Sequence, residues 1–262
     1  MSLTLQPIGV LESCYLDKFG TPRQPGLVPT SFGRIRIFPE WQPADSLQGL
    51  EAFSHIWVLF HFHQNQVAHF HAKVHPPRMG GGKMGVFATR SPHRPNPVGL
   101  SLVKLDRIES PYIYISGIDI INETPVFDIK PYLSFIEAVP SAVSGWAQDR
   151  QDKRDKQDKQ DEQDQQTKQA TQAKADTHIE VIFPANIKSK LAFIEAKYPQ
   201  YQFQDLVTRT LKLDPRPTVY KGYEQEKNSP YRQTHAVRLI QYDVHFEFIS
   251  KDQIQIIDII DL

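Results

Sequence analysis

The chain is short of several things that would define a function class. Among its 262 residues there is one cysteine, Cys14, which excludes an internal disulfide framework and any multi-cysteine zinc or iron–sulfur site. The longest unbroken apolar run, Ile56–Phe60, falls far short of the ~20 residues that cross a bilayer as a helix. The first residues, Met-Ser-Leu-Thr-Leu-Gln-Pro, lack the basic-then-apolar pattern of a secretory signal. Net charge is zero, with 30 Lys/Arg against 30 Asp/Glu, so the protein is not a globally basic nucleic-acid coat, although local patches remain open. Together these absences predict a soluble protein of a reducing, cytoplasmic compartment. An apolar content of 40% is enough to build a packed core over most of the chain.

A local absence is more informative. No carboxylate occurs between Glu51 and Asp106, while the same window holds Lys73, Arg78, Lys83, Arg90, Arg94, Lys104 and seven of the ten histidines. A stretch that concentrates positive charge in a neutral protein attracts phosphate, nucleic acid or another anion. The alternative is that acids from other segments neutralise it in space. Gly80–Gly85 matches a G-x-G-x-x-G pattern but sits after Pro76-Pro77 rather than between a strand and a helix. It therefore reads as a turn, not as a dinucleotide site. His61/His63 and His69/His71 are spaced as a metal pair on a strand would be, yet no Cys, Asp or Glu lies near in sequence, so no metal is expected. Arg90 to Gly99 contains three prolines, which make a stiff loop holding Arg90 and Arg94 at defined positions.

Composition divides the chain into three. Residues 1–147 are rich in Pro, Gly and aromatics, with short β-like runs at 33–38, 54–62, 84–89 and 112–121, which predict a mainly β barrel or sandwich. Residues 148–178 are a Gln/Asp/Lys tract of 31 residues with seven basic and eight acidic side chains. This composition predicts a solvated linker, with a reach as a coil of roughly 30 Å. Residues 179–262 carry two helical repeats, Ile187/Leu191/Ile194/Tyr198 and Phe203/Leu206/Val207/Thr210/Leu211, followed by strand-like runs at 244–248 and 254–260. They predict a small α+β domain.

The ordered blocks Pro22-Arg23-Gln24-Pro25-Gly26-Leu27, Gly49 to Trp57, Pro76-Pro77-Arg78-Met79-Gly80-Gly81, Gly85 to Ser91, Asn96-Pro97-Val98-Gly99, Thr124-Pro125-Val126 and Asp128-Ile129-Lys130-Pro131-Tyr132 resemble the TsaA-like family, specifically its bacterial TrmO tRNA methyltransferases. The resemblance spans most of residues 5–147, and Asp214-Pro215-Arg216-Pro217 with Tyr220 and Lys221 resembles the family's second-domain motif.

The resemblance implies an unusual β-barrel, a homodimer with its cofactor near the subunit contact, and methylation with S-adenosylmethionine (SAM). The reaction it implies is methylation of N6 of threonylcarbamoyladenosine at position 37, in the anticodon stem-loop of threonine tRNA. Carried over residue by residue, the implied cofactor contacts are Pro22, Arg23, Gln24, His63, Gln64, Arg90, Leu100, Asp119, Ile120, Ile121 and Asn122. Asn122-Glu123-Thr124-Pro125 departs from the relatives' usual Asp-Gly-Thr-Pro, which bears on the local turn.

A group that accepts the N6 proton would help the reaction, and Asp119, Asp128 and Asn96 are the candidates. The carboxylates have ion pairing as the alternative role, and Asn96 a plain turn. For tRNA, the candidates are Arg78, Lys83 and Arg94, with Arg216, Tyr220 and Lys221 from the second domain. The competing readings are a non-catalytic RNA- or nucleotide-binding barrel, a SAM-dependent small-molecule methyltransferase and, more remotely, a metal enzyme.

Overall fold

In the computed structural model, residues 4–65, 70–76, 82–147, 179–216 and 233–262 are described. The first unit is built from β1 (Gly9–Ser13), β2 (Phe32–Ile37), β3 (His55–His61), β6 (Val98–Glu109), β7 (Tyr112–Ser116) and β8 (Thr124–Pro131). They close a six-stranded barrel in the order β1-β2-β7-β6-β3-β8, with every neighbouring pair antiparallel. Alternation fills the interior. Leu11, Ile35, Ile56, Val58, Val103, Ile113, Ile115 and Val126 are buried there, each worth ~1.5–3 kcal/mol when fully withdrawn from water. Gly99 is required by this packing, because a Cβ there would lie 2.3 Å from the Phe60 ring.

A two-stranded ribbon, β4 (Lys73–Val74) with β5 (Met84–Gly85), stands outside the barrel. The strand expected over 84–89 ends after Gly85, where Val86–Ala88 forms a 3-10 turn. The strand expected over 112–121 ends at Ser116, because Gly117 turns the chain with φ +69°.

The second unit is α+β, as its periodicity predicts. Helices α1 (Ala185–Lys197) and α2 (Phe203–Lys212) bury Ile187, Leu191, Ile194, Phe203, Leu206, Val207 and Leu211. They share one core with a sheet ordered β10 (Thr234–Leu239), β11 (Tyr242–Ser250), β12 (Gln253–Asp261), β9 (Glu180–Ile182), in which β9 runs parallel to β12. The barrel core and this core form one contiguous cluster. Between the units, Phe32 stacks on Tyr201 with ring centroids 4.6 Å apart and planes at 7°. The tract 148–178 lies outside the described residues.

A candidate ligand site at one end of the barrel

The unequal lengths of two neighbouring strands create the site. β6 has 12 residues and β7 only five, and their pairing stops at Lys104↔Ser116. The segment Val98–Val103 therefore runs on past the end of β7, and the loop after β7 passes beside it. That loop is sewn to the β1–β2 connection. Gly26 N–H donates to Gly117 O and Gly117 N–H to Ser31 O, both at 2.8 Å. The fully buried Ser31 hydroxyl bridges Val28 O (2.7 Å) and Ile118 O (3.0 Å). These bonds draw residues 22–24 and 119–122 to the same end of the barrel.

Asp119 is the electrostatic centre of this end. Ser101, inward-facing on β6 and buried, donates its hydroxyl to Asp119 Oδ1 at 2.5 Å. Burial pushes the Asp119 carboxyl up to about 6, against the opposing pull of the Ser101 hydrogen bond and the Arg90 charge. Arg90 Nη1 donates to Gln24 Oε1, and Gln24 Nε2 donates back to Arg23 O. Gln24, Arg90 and Asp119 are thus tied together by one hydrogen bond and one charge interaction. Pro22 is buried and Arg23 is exposed.

His63 and Asn122 flank the centre. His63 Nδ1 lies 3.3 Å from Thr124 Oγ1, whose hydroxyl also meets Ile121 O at 2.8 Å. Burial, and then the neighbouring His61, hold the His63 pKa below the usual imidazole value, so the ring is neutral at neutral pH. Gln64 O accepts from Lys18 Nζ at 2.6 Å. Asn122 Oδ1 accepts from Ser13 N–H (2.9 Å) while its own N–H donates to Tyr15 O (2.7 Å). Glu123 occupies the left-handed region at φ 60°. The turn is therefore kept without the glycine, at ~1–2 kcal/mol of backbone strain. Ile120 is buried and Ile121 half-buried.

Other expected residues lie elsewhere or have other occupations. Leu100 points to the opposite face of β6 from Ser101 and is 58% exposed. Asp128 sits on the same outer wall, since Leu59 pairs with both Leu100 and Asp128. Its carboxylate binds Lys130 Nζ at 2.9 Å. Asn96 is exposed, and its carbonyl accepts from Val98 N–H at 2.8 Å, the turn that its position before proline suggests.

Arg94 braces its own loop, donating to Thr89 O (2.9 Å) and Val86 O (3.3 Å) with its guanidinium over Phe87. Lys83 is exposed beside β5. Arg216 is not on the surface. It is buried against Asp214 at 2.9 Å, with its guanidinium 3.2 Å from the Phe248 ring centroid. Arg78, Tyr220 and Lys221 lie outside the described residues. Among the described residues, no three His, Cys, Asp or Glu side chains converge as metal ligands.

Ser101, Thr124, Ser13 and Lys18 are parts of the site that sequence reasoning missed. Ser101 had one legible signal, a hydroxyl in an inward row otherwise made of Gly99, Val103 and Leu105.

Fold and site define a two-unit barrel protein in which a half-buried carboxylate, a guanidinium and an amide come together at one end of the barrel. The family profile for the tRNA-methyltransferase O N-terminal domain matches residues 10–138, and that for the TrmO C-terminal domain matches residues 176–262. An Escherichia coli K12 protein named tRNA (adenine(37)-N6)-methyltransferase is 37% identical over 250 residues, covering 94% of this chain and 93% of that protein. A human protein of the same name is 53% identical over 135 residues, covering 51% of this chain and 31% of that protein. The crystal structure of TrmO from Pseudomonas aeruginosa superposes with a TM-score of 0.71 at 31% identity, covering 99% of this chain and 100% of that one. The chain belongs to the tRNA-methyltransferase O family.

Proposed function

We propose that this protein is a SAM-dependent methyltransferase that modifies N6 of adenosine 37 in tRNA. The observation that carries the reading is the convergence of Gln24, Arg90 and Asp119, separate in sequence, at one barrel end in a chain of this family. The residues present fit the cofactor. A half-buried carboxylate complements a cation, a guanidinium beside an amide complements a carboxylate, and a neutral His63 adds no repulsive charge.

Bound there, SAM supplies an electrophilic methyl group on a sulfonium. The chain's own residues do the rest. Arg90 and Gln24 orient, Pro22 and Ile120 exclude water, and the 117–122 loop holds its groups on the barrel rim. Asp119 is the first choice for accepting the N6 proton. It is half-buried and its pKa of about 6 suits a base near neutral pH. Asp128 is paired with Lys130 on the outer wall, and Asn96 serves a turn.

The finer assignments belong to the same proposal. The substrate is threonylcarbamoyladenosine in threonine tRNA, and exposed Lys83 is a phosphate contact. The working unit is a homodimer. In its favour, Phe135, Ile136, Val143, Phe87 and Leu100 are 58–85% exposed. Trp146 Nε1 reaches Ala88 O and Trp57 Nε1 reaches Glu137, so residues 134–147 lie against the outer wall near Phe87. A second copy covering these side chains would remove an unusual amount of apolar surface from water.

The test is incubation of purified protein with SAM and threonine tRNA carrying the modified adenosine, followed by nucleoside mass spectrometry. A gain of one methyl group is expected. Binding of tRNA without methyl transfer would favour the non-catalytic barrel and end the proposal.

A further inference from the structure

Ser101 occupies a position where an apolar side chain would be expected. Its neighbours on the inward face of β6, Val103 and Leu105, are buried hydrophobics, and Ser101 itself is 2% exposed. A buried hydroxyl costs free energy unless it is bonded. Here its hydrogen bond runs to Asp119 Oδ1 at 2.5 Å, within the short range of a hydroxyl donating to a charged carboxylate. The two partners differ in rigidity. Ser101 lies within the β3–β6 ladder opposite Val58, whereas Asp119 rides on a loop. The strand therefore fixes the carboxylate, not the reverse.

Among the described residues, Arg90 and Tyr15 also interact with Asp119. Arg90 approaches from the proline-rich loop and favours the ionised form. Tyr15, from the end of β1, is buried and senses the Asp119 charge, its own hydroxyl remaining protonated. A carboxylate offers about four acceptor sites. With one taken by Ser101, capacity remains for a cationic or hydroxyl-bearing ligand.

We propose that Ser101 is a positioning residue, whose hydroxyl holds Asp119 in the ionised form that meets the cationic or hydroxyl groups of the cofactor. The inference rests on the reading of this barrel end as the SAM site. SAM itself is the probe, titrated calorimetrically into the purified full-length protein between pH 5.5 and 9. Wild-type affinity is expected to fall as pH drops through about 6, as Asp119 takes up its proton.

Ser101→Ala removes a donor to the charged form and raises the Asp119 pKa. Its binding curve moves to higher pH by about one pH unit, which makes it about fivefold weaker than wild type at pH 6 and nearly equal above pH 8.5. Ser101→Cys, close in size with only a weak donor, gives the same displacement should the alanine variant fold poorly. Ser101→Thr, which keeps the hydroxyl, restores the wild-type curve.

A Ser101→Ala or Ser101→Cys curve that overlies wild type overturns the inference. So does a loss equal at every pH, which would mean that Ser101 only packs. Wild-type protein that binds no SAM at any pH sinks the underlying reading instead.

Discussion

Ile240, at the tip of the β10–β11 hairpin, donates its amide to the carbonyl of Cys14 at 2.7 Å, and beside it Leu239 and Tyr15 form an antiparallel bridge. The second unit is thereby bonded to the segment leading from β1 toward residues 22–24. Gly20 lies in the same contact, with φ +93° and a prospective Cβ 2.9 Å from Val237 Cγ1. Gly20→Ala is expected to destabilise the whole chain by ~1–3 kcal/mol, through overpacking and the positive φ. Calorimetry should show one lowered transition; two separate transitions would mean that the units do not share their stability.

Asp119 is ionised against the interest of the fold. Its carboxyl is raised to about 6 from an ordinary value near 3.8. Between those values the folded state binds more protons than the unfolded chain, so stability falls as pH rises from ~4 to ~6 and is flat beyond. Asp119→Asn removes the ionisation while its amide oxygen can still accept from Ser101. It should stabilise the protein at pH 7 by ~2 kcal/mol while abolishing methylation. Thermal melts across pH check this. A variant less stable than wild type at pH 7 would contradict it.

Arg90 is exposed, so its loss should spare the fold. Arg90→Ala removes the partner of Gln24 and the favourable charge beside Asp119. A drop of more than about tenfold in kcat/KM is expected, with the melting temperature held within ~2 °C. Arg90→Lys should recover little, because an ammonium cannot reproduce the planar fork.

Arg216 is expected to behave as part of the architecture. Removing one partner of a buried ion pair, here together with the guanidinium over Phe248, costs ~3–5 kcal/mol. Arg216→Ala should therefore lower stability sharply, and tRNA binding by whatever folded protein remains should keep its salt dependence. A stable variant with a shallower salt slope would instead make Arg216 a phosphate contact.

The sequence revealed elements according to how plainly their side chains alternate. β3 and β11, with apolar residues at every buried position, were legible, as were both long helices with their 3.6-residue stripes. β6 was not, because its inward face begins with Gly99 and Ser101. One meets the Phe60 ring and the other meets Asp119, so packing and chemistry replaced the hydrophobic signal.

The pairing of Gln24 with Arg90 across 66 positions is set by barrel closure, which no local pattern encodes. The motif blocks led to both residues only by resemblance. They gave no warning that Arg216 would be buried, since an arginine before proline looks the same in sequence whether it faces solvent or an aspartate two residues away.

The bridge between Tyr15 and Leu239 has an evolutionary corollary. Docking of the two units is carried by backbone pairing and ring stacking between folded surfaces. Change on one docked surface is thus constrained by the other, so drift in either unit calls for a matching change in its neighbour.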